Sequence, residues 1–80
     1  MTAPDRAAHV AWCKERALAE LDAPGPLEER IVNALSSLAV DLSGNPATAG
    51  HDAIMLGTME AMRGGLQTEQ QMRAWIEGIR

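Results

Sequence analysis

The sequence predicts an all-α fold, a small bundle of four helices joined by short loops, and three observations carry that reading. The chain contains no Phe and no Tyr, and it is dominated by Ala, Leu, Glu, Arg and Met, residues that lose little side-chain freedom in a helix. Val and Ile are scattered and never alternate with polar residues as a half-buried strand requires. Three groups of helix breakers, Ala23-Pro24-Gly25-Pro26, Ser43-Gly44-Asn45-Pro46 and Gly64-Gly65, divide the chain into four segments of helical length. One domain over residues 1–80 is expected, with helices at about 5–22, 26–42, 51–63 and 68–77.

The first segment is expected to fray over Met1 to Pro4, with Asp5 placing negative charge where the helix dipole favours it. On a helical wheel Ala7, Val10, Ala11, Leu18 and Leu21 share one stripe, with Ala8, Ala19 and Trp12 at its edge. Lys14 falls in the centre of that stripe, where its stem can lie on apolar surface while the ammonium reaches water. That placement predicts a partly covered helix. Pro24 and Pro26 end it, and Pro26 is placed as the first residue of the next helix.

The second segment has the cleanest amphipathic pattern, Leu27, Ile31, Ala34, Leu35, Leu38 and Leu42 recurring at steps of three and four. Glu28 and Glu29 occupy its opening turn. Gly44 is assigned the left-handed position that closes a helix, and Asn45 the cap of the next segment. Pro46 to Gly50 fits either one helical turn or an irregular loop. In the third segment Ile54, Met55, Thr58, Met59 and Met62 form a broad apolar face, read as core because a chain without Phe and Tyr needs methionine to fill irregular gaps, with a plastic binding surface as the rival reading of the methionine stripe. Gly57 and Ala61 with Ile54 form a small-residue strip that a backbone can approach. Thr68 and Gln71 have capping-box spacing, and Met72, Trp75, Ile76 and Ile79 give the last apolar face.

The charge balance is −4, and the seven basic residues are dispersed, unlike the clustered footprint that neutralises phosphates in a nucleic-acid binder. The single cysteine, Cys13, excludes an internal disulfide, and no charged leader with an apolar run follows Met1. A reducing cytoplasm is the expected location. No apolar run approaches the ~18 residues of a membrane span, so no membrane partner is expected. A core this small rarely supplies more than about 3 to 5 kcal/mol, which makes a homodimer the expected state.

Chemistry-bearing residues are few. His9 and Cys13 share a helical face and His51 could join them, but zinc sites want four ligands, or three plus water, and close-spaced pairs of Cys or His are missing. Cys13 has a base within helical reach and nothing that supplies an oxyanion hole. Glu28 and Glu29 are adjacent and point apart. His51 beside Asp52 is expected to satisfy loop backbone groups, with a pH-sensitive role as the rival reading. Trp12 is the better candidate of the two tryptophans for an interface anchor.

Taken together, His-Val-Ala-Trp-Cys-Lys-Glu-Arg-Ala (9–17), Ala-Leu-Ser-Ser-Leu-Ala-Val-Asp-Leu (34–42), Asn-Pro-Ala-Thr (45–48), His51, Leu56-Gly57, Gly64-Gly65-Leu66-Gln67-Thr68 and Met-Arg-Ala-Trp-Ile-Glu-Gly (72–78) resemble a family of small uncharacterised proteins common in phages of actinobacteria and in their prophages. The resemblance covers nearly the whole chain after residue 5. The chain departs from it at Asn45, where histidine is usual, at Ala47, where glutamate is usual, and at Trp75 and Ile79, where phenylalanine is commoner. The resemblance implies a viral or prophage origin and a bacterial host cytoplasm, brings no activity with it, and carries over no catalytic residue.

The resulting expectation is a non-enzymatic, phage-derived accessory protein that acts as an interaction module toward a host or phage protein. The candidate interaction residues are Trp12, Lys14, His9 and His51, with no catalytic, cofactor-binding or metal-binding residues and no cofactor. The alternatives are a small helix-turn-helix-like nucleic-acid-binding regulator and a virion or assembly component.

Overall fold

The second helix is the hub of the bundle, because its apolar stripe is the one long enough to serve every neighbour. The structure, a computed structural model, describes the backbone of residues 3–80 and the side chains of residues 6–80. Four helices follow in order: α1 Ala3–Asp22, α2 Leu27–Ser43, α3 Ala53–Met62 and α4 Glu69–Glu77. Helix α2 packs on all three others, α1 also meets α4, and the α1–α2 pair is the most extensive contact. The predicted all-α bundle is therefore observed, with each boundary within two residues of expectation. The fraying expected over Met1 to Pro4 is corrected at Ala3 and Pro4, which already belong to the first turn of α1, where a proline needs no donor; Met1, Thr2 and the charge role of Asp5 lie outside the described residues.

Ile31, Ala34, Leu38 and Leu42 are buried on α2, with Leu27 and Leu35 half-buried beside them, as the step of three and four requires. Helix α4 contributes Met72 and Ile76, both fully buried, and Ile79 follows just beyond its end. The Thr68–Gln71 capping box is present: the Gln71 N–H donates to Thr68 Oγ1 at 3.0 Å, and the Thr68 N–H donates to Gln71 Oε1 at 3.2 Å. Two orphan donors are thus satisfied at the start of a nine-residue helix that could not stand alone.

Helix α1 is rotated from its predicted orientation. Its buried stripe runs through Val10, Cys13, Ala17 and Leu21, whereas Ala7, Ala8, Ala11 and Ala19 are exposed. The turn amounts to roughly 70° on a wheel of 3.6 residues per turn. Alanine is the reason: with so little apolar surface it lends a stripe almost no burial energy, so Cys13 and the close approach at Ala17 decide the packing.

Two turn assignments also change. Gly44 closes α2 in the right-handed region (φ −76°) with its N–H on the Val40 carbonyl, and the left-handed glycines are Gly25 (φ 127°) and Gly64 (φ 81°). Pro26 is the residue before α2 and not its first, its carbonyl accepting the first helical bond from Arg30 N–H at 3.1 Å. Between α2 and α3 the chain makes successive tight turns, Thr48 N–H to Asn45 O and His51 N–H to Thr48 O, both 3.0 Å, with Asn45 Oδ1 accepting from Ala47 N–H at 2.9 Å. Thr48 is 1% exposed and its hydroxyl donates to the Leu42 carbonyl at 2.7 Å. That bond fastens the loop to the end of α2.

Arg30 ties the opposite end. Its guanidinium donates to the carbonyls of Leu21 (2.8 Å) and Gly25 (3.0 Å) and to Glu69 Oε1 (2.8 Å), joining the end of α1, the first loop and the start of α4. Arg73 pairs with Asp22 nearby, and that bond pushes its pKa further up. No helix among the described residues is long and apolar enough to cross a membrane.

Candidate functional site

Of the four residues singled out from the sequence, three stand on α1 and one on the turn before α3, and the fold gives them separate tasks. His9 and Trp12 stack at 5.3 Å between ring centroids and 24° between planes. The Arg16 guanidinium carbon lies 4.9 Å from the Trp12 ring centroid, within cation–π range. The same group anchors this cluster to α2. His9 Nε2–H donates to the Asp41 carbonyl at 2.8 Å, Arg16 Nε donates to Asp41 Oδ2 at 2.6 Å, and the Ser37 hydroxyl donates to that oxygen at 3.3 Å. Trp12 remains 45% exposed, so it stiffens the rim of the α1–α2 seam and still shows a face to solvent.

Lys14 lies at the edge of the buried stripe, and its ammonium reaches across to α4. Nζ donates to the carbonyls of Glu77 (3.0 Å) and Ile79 (2.8 Å), supplying cationic charge where the last helical carbonyls carry partial negative charge. His51 acts from the other side. Its Nδ1 accepts from Ala53 N–H at 3.0 Å and its Nε2–H donates to the Arg80 carbonyl at 2.6 Å. One ring therefore caps the start of α3 and fixes the segment after α4, a division that needs the neutral tautomer protonated on Nε2.

Cys13 is fully buried. Burial pushes its thiol above the ordinary value of 9.0, and the Asp41 carboxylate adds to this against a smaller opposing effect of Arg16. A buried thiol held protonated has none of the thiolate character of a nucleophile, and the nearest histidine is already committed to a carbonyl. Among the described residues no group of three or more His, Cys, Asp or Glu has an arrangement able to hold a metal ion, and no buried side-chain nitrogen or oxygen lacks a hydrogen-bond partner.

The surface that the sequence reading ranked behind a core role is on α3. Met55, Met59 and Met62 are 69%, 50% and 82% exposed, so the expected methionine core is overturned. The side of α3 turned inward carries Ala53 and Gly57. At 100° per residue the three methionines occupy an arc about 60° wide on the opposite side of the helix. The reason is Gly57. A Cβ built there would lie 2.9 Å from Trp75 Cη2 and 3.2 Å from Leu35 Cδ2, so the helix seats its smallest residue against the indole and turns its largest ones away. The close approach expected at Gly57 is real, but its partners are two side chains and not a backbone, and Ala61 stays exposed.

Beside this face, between α3 and α4, runs an open groove of ≈ 410 Å³ lined by Leu56, Ala74, Trp75 and Ile79 with His51 and Arg80 at one end. Leu56 is 49% exposed and belongs both to the groove and to the edge of the methionine face. Compared with protein-family models, with curated proteins and with solved structures, the chain matches none of them.

Proposed function

We propose that this protein is a non-enzymatic interaction module, phage-derived as its sequence resemblance implies, whose binding surface toward a host or phage protein is the outer face of α3. The observation that carries this is the exposure of Met55, Met59 and Met62 on the side of the helix facing away from the core. Large apolar side chains gathered on one exposed face mark interaction sites in soluble domains. Thioether side chains suit such a role because they are unbranched and polarizable and can repack against different partners.

Trp12 offers a smaller, secondary contact on α1. Lys14, His9 and His51 serve the fold first, each with its polar atoms engaged inside the molecule. The regulator alternative draws no support from the basic residues. Lys14, Arg16, Arg30, Arg63 and Arg73 are all engaged in internal pairs or helix-end contacts, which leaves few cations for phosphates.

The test is affinity capture from an actinobacterial host lysate using the wild-type chain, the variant Met55→Glu/Met59→Glu, and Trp12→Ala, each checked for native helicity. Proteins retained by the wild type and by Trp12→Ala but lost by the double variant support the reading. An unchanged set of retained proteins for the double variant sinks it.

A further inference from the structure

Helix α3 is apolar on both sides, and Glu60 is the one charged residue within Ala53–Met62. A helix that is hydrophobic all round is ordinarily covered all round, yet here only the Ala53–Gly57 side is covered. The outer face is bounded by opposite charges. Asp52 stands exposed at its start and Arg63, with a side chain 71% exposed, at its end. Both fall on the side of the wheel shared by Leu56 and Met59, about 16 Å apart along the axis.

We propose that this face binds a second copy of the same chain, α3 against α3 in antiparallel, two-fold arrangement. The proposal rests on the reading of the α3 face as a binding surface and commits that surface to one partner. Two-fold pairing requires a self-complementary patch, in which each residue meets in the partner the one that meets it in return. Antiparallel alignment of α3 satisfies this at the centre and ends of the face: Asp52 faces the partner's Arg63, Arg63 faces the partner's Asp52, and Met59 faces the partner's Leu56. Parallel alignment would set like charges beside each other. Arg63 already bonds Glu60 within its own chain, but a guanidinium has five N–H donors and keeps enough for a second carboxylate.

A standard interface removes ~800 Å² from each partner, roughly one sixth of the 5050 Å² surface of this chain. The methionine face and the groove that adjoins it through Leu56 form one apolar region with Asp52 and Arg63 at its ends and Glu60, paired with Arg63 in its own chain, at its flank, the arrangement of an interface with an apolar centre and a polar rim.

The experiment is sedimentation velocity and light scattering on the full chain from micromolar to millimolar concentration, with circular dichroism on every variant. The expected result is a monomer–dimer equilibrium in the wild type, with Met59→Glu monomeric throughout. Asp52→Arg and Arg63→Asp should each weaken self-association about tenfold, since each sets like charges opposite one another. Combining both substitutions in one chain should restore it, and so should mixing the two single variants, whose faces then complement each other. Restored association in the double variant is specific to the antiparallel pairing, since parallel chains would still oppose like charges, whereas the mixture restores association in either orientation and reports only that positions 52 and 63 lie at the interface. A wild type that stays monomeric at millimolar concentration overturns the inference. So does a dimer indifferent to Met59→Glu and to both charge reversals. If the wild type is monomeric but lysate capture still depends on Met55 and Met59, the interaction module stands and only the second-copy partner fails.

Discussion

Lys14 and His51 hold the same short segment from opposite sides: Lys14 Nζ donates to the carbonyls of Glu77 and Ile79, and His51 Nε2 to that of Arg80. Between them Ile79 is pressed into the core, 8% exposed. Residues 77–80 thus lie fixed by two side chains from distant parts of the sequence. Lys14→Met, which keeps the apolar stem, should lower unfolding free energy by about 1 kcal/mol, as expected for a cation at a helix end with partly exposed bonds. His51→Ala should cost about as much. The double variant should cost less than the sum, because either change alone frees the segment the other restrains; urea unfolding of the four proteins measures the coupling.

Gly57→Ala sets two opposed effects against each other. Removing a glycine from a helix interior gains about 1 kcal/mol, but the new Cβ would press into the Trp75 ring at 2.9 Å, and overpacking of a rigid ring costs about 1 to 3 kcal/mol. A net loss of stability is expected, with a shift in Trp75 fluorescence measured in a Trp12→Phe background. Unchanged stability and emission would show that the indole yields freely.

Thr48→Val keeps the shape of a side chain that is 1% exposed and removes the hydroxyl that donates to the Leu42 carbonyl. Leaving that buried carbonyl unpaired should cost about 1 to 3 kcal/mol. Thr48→Ser retains the bond and should fall between the two. Thermal unfolding followed by circular dichroism ranks the three.

The Cys13 thiol titrates above 9.0 in the folded protein because burial and the Asp41 carboxylate disfavour its thiolate. The unfolded chain therefore loses this proton first, and the folded state binds more protons in the window above pH 9. The stability associated with the neutral thiol is fully present below the unfolded value and is lost as pH rises through it toward the raised folded value. Cys13→Ala should lack this decline. Wild-type and variant unfolding free energies at pH 7, 8, 9 and 10 test the difference, and native Cys13 should resist alkylation until the chain is unfolded.

Much of the architecture was readable because it depends on strong local signals. Pro24, Pro26 and Pro46 remove donors and block helical continuation whatever the tertiary context, Gly64 takes the left-handed turn that ends α3, and the α2 stripe and the Thr68–Gln71 box are written in spacing alone. The orientation of α1 was not readable, since its wheel is crowded with alanines that weigh little in burial. Nor was the facing of α3. Apolar residues surround that helix, and only the fit of Trp75 and Leu35 onto Gly57 decides which side goes in. The candidate surface was hidden by the same ambiguity, and the one available hint was that Met55, Met59 and Met62 share a side of the wheel opposite the single glycine of the helix.

Helix α3 packs on α2 along one narrow side and reaches α4 through the Trp75 ring, with most of its large side chains in water. Its backbone amides are therefore guarded by little more than their own helical bonds. They should exchange with deuterium through local opening well before the amides of α1 and α2, whose protection approaches that of global unfolding. Any partner that settles on Met55, Met59 and Met62 would close this gap, so slowed exchange across residues 53–62 is the signature by which occupancy of that face can be recognised.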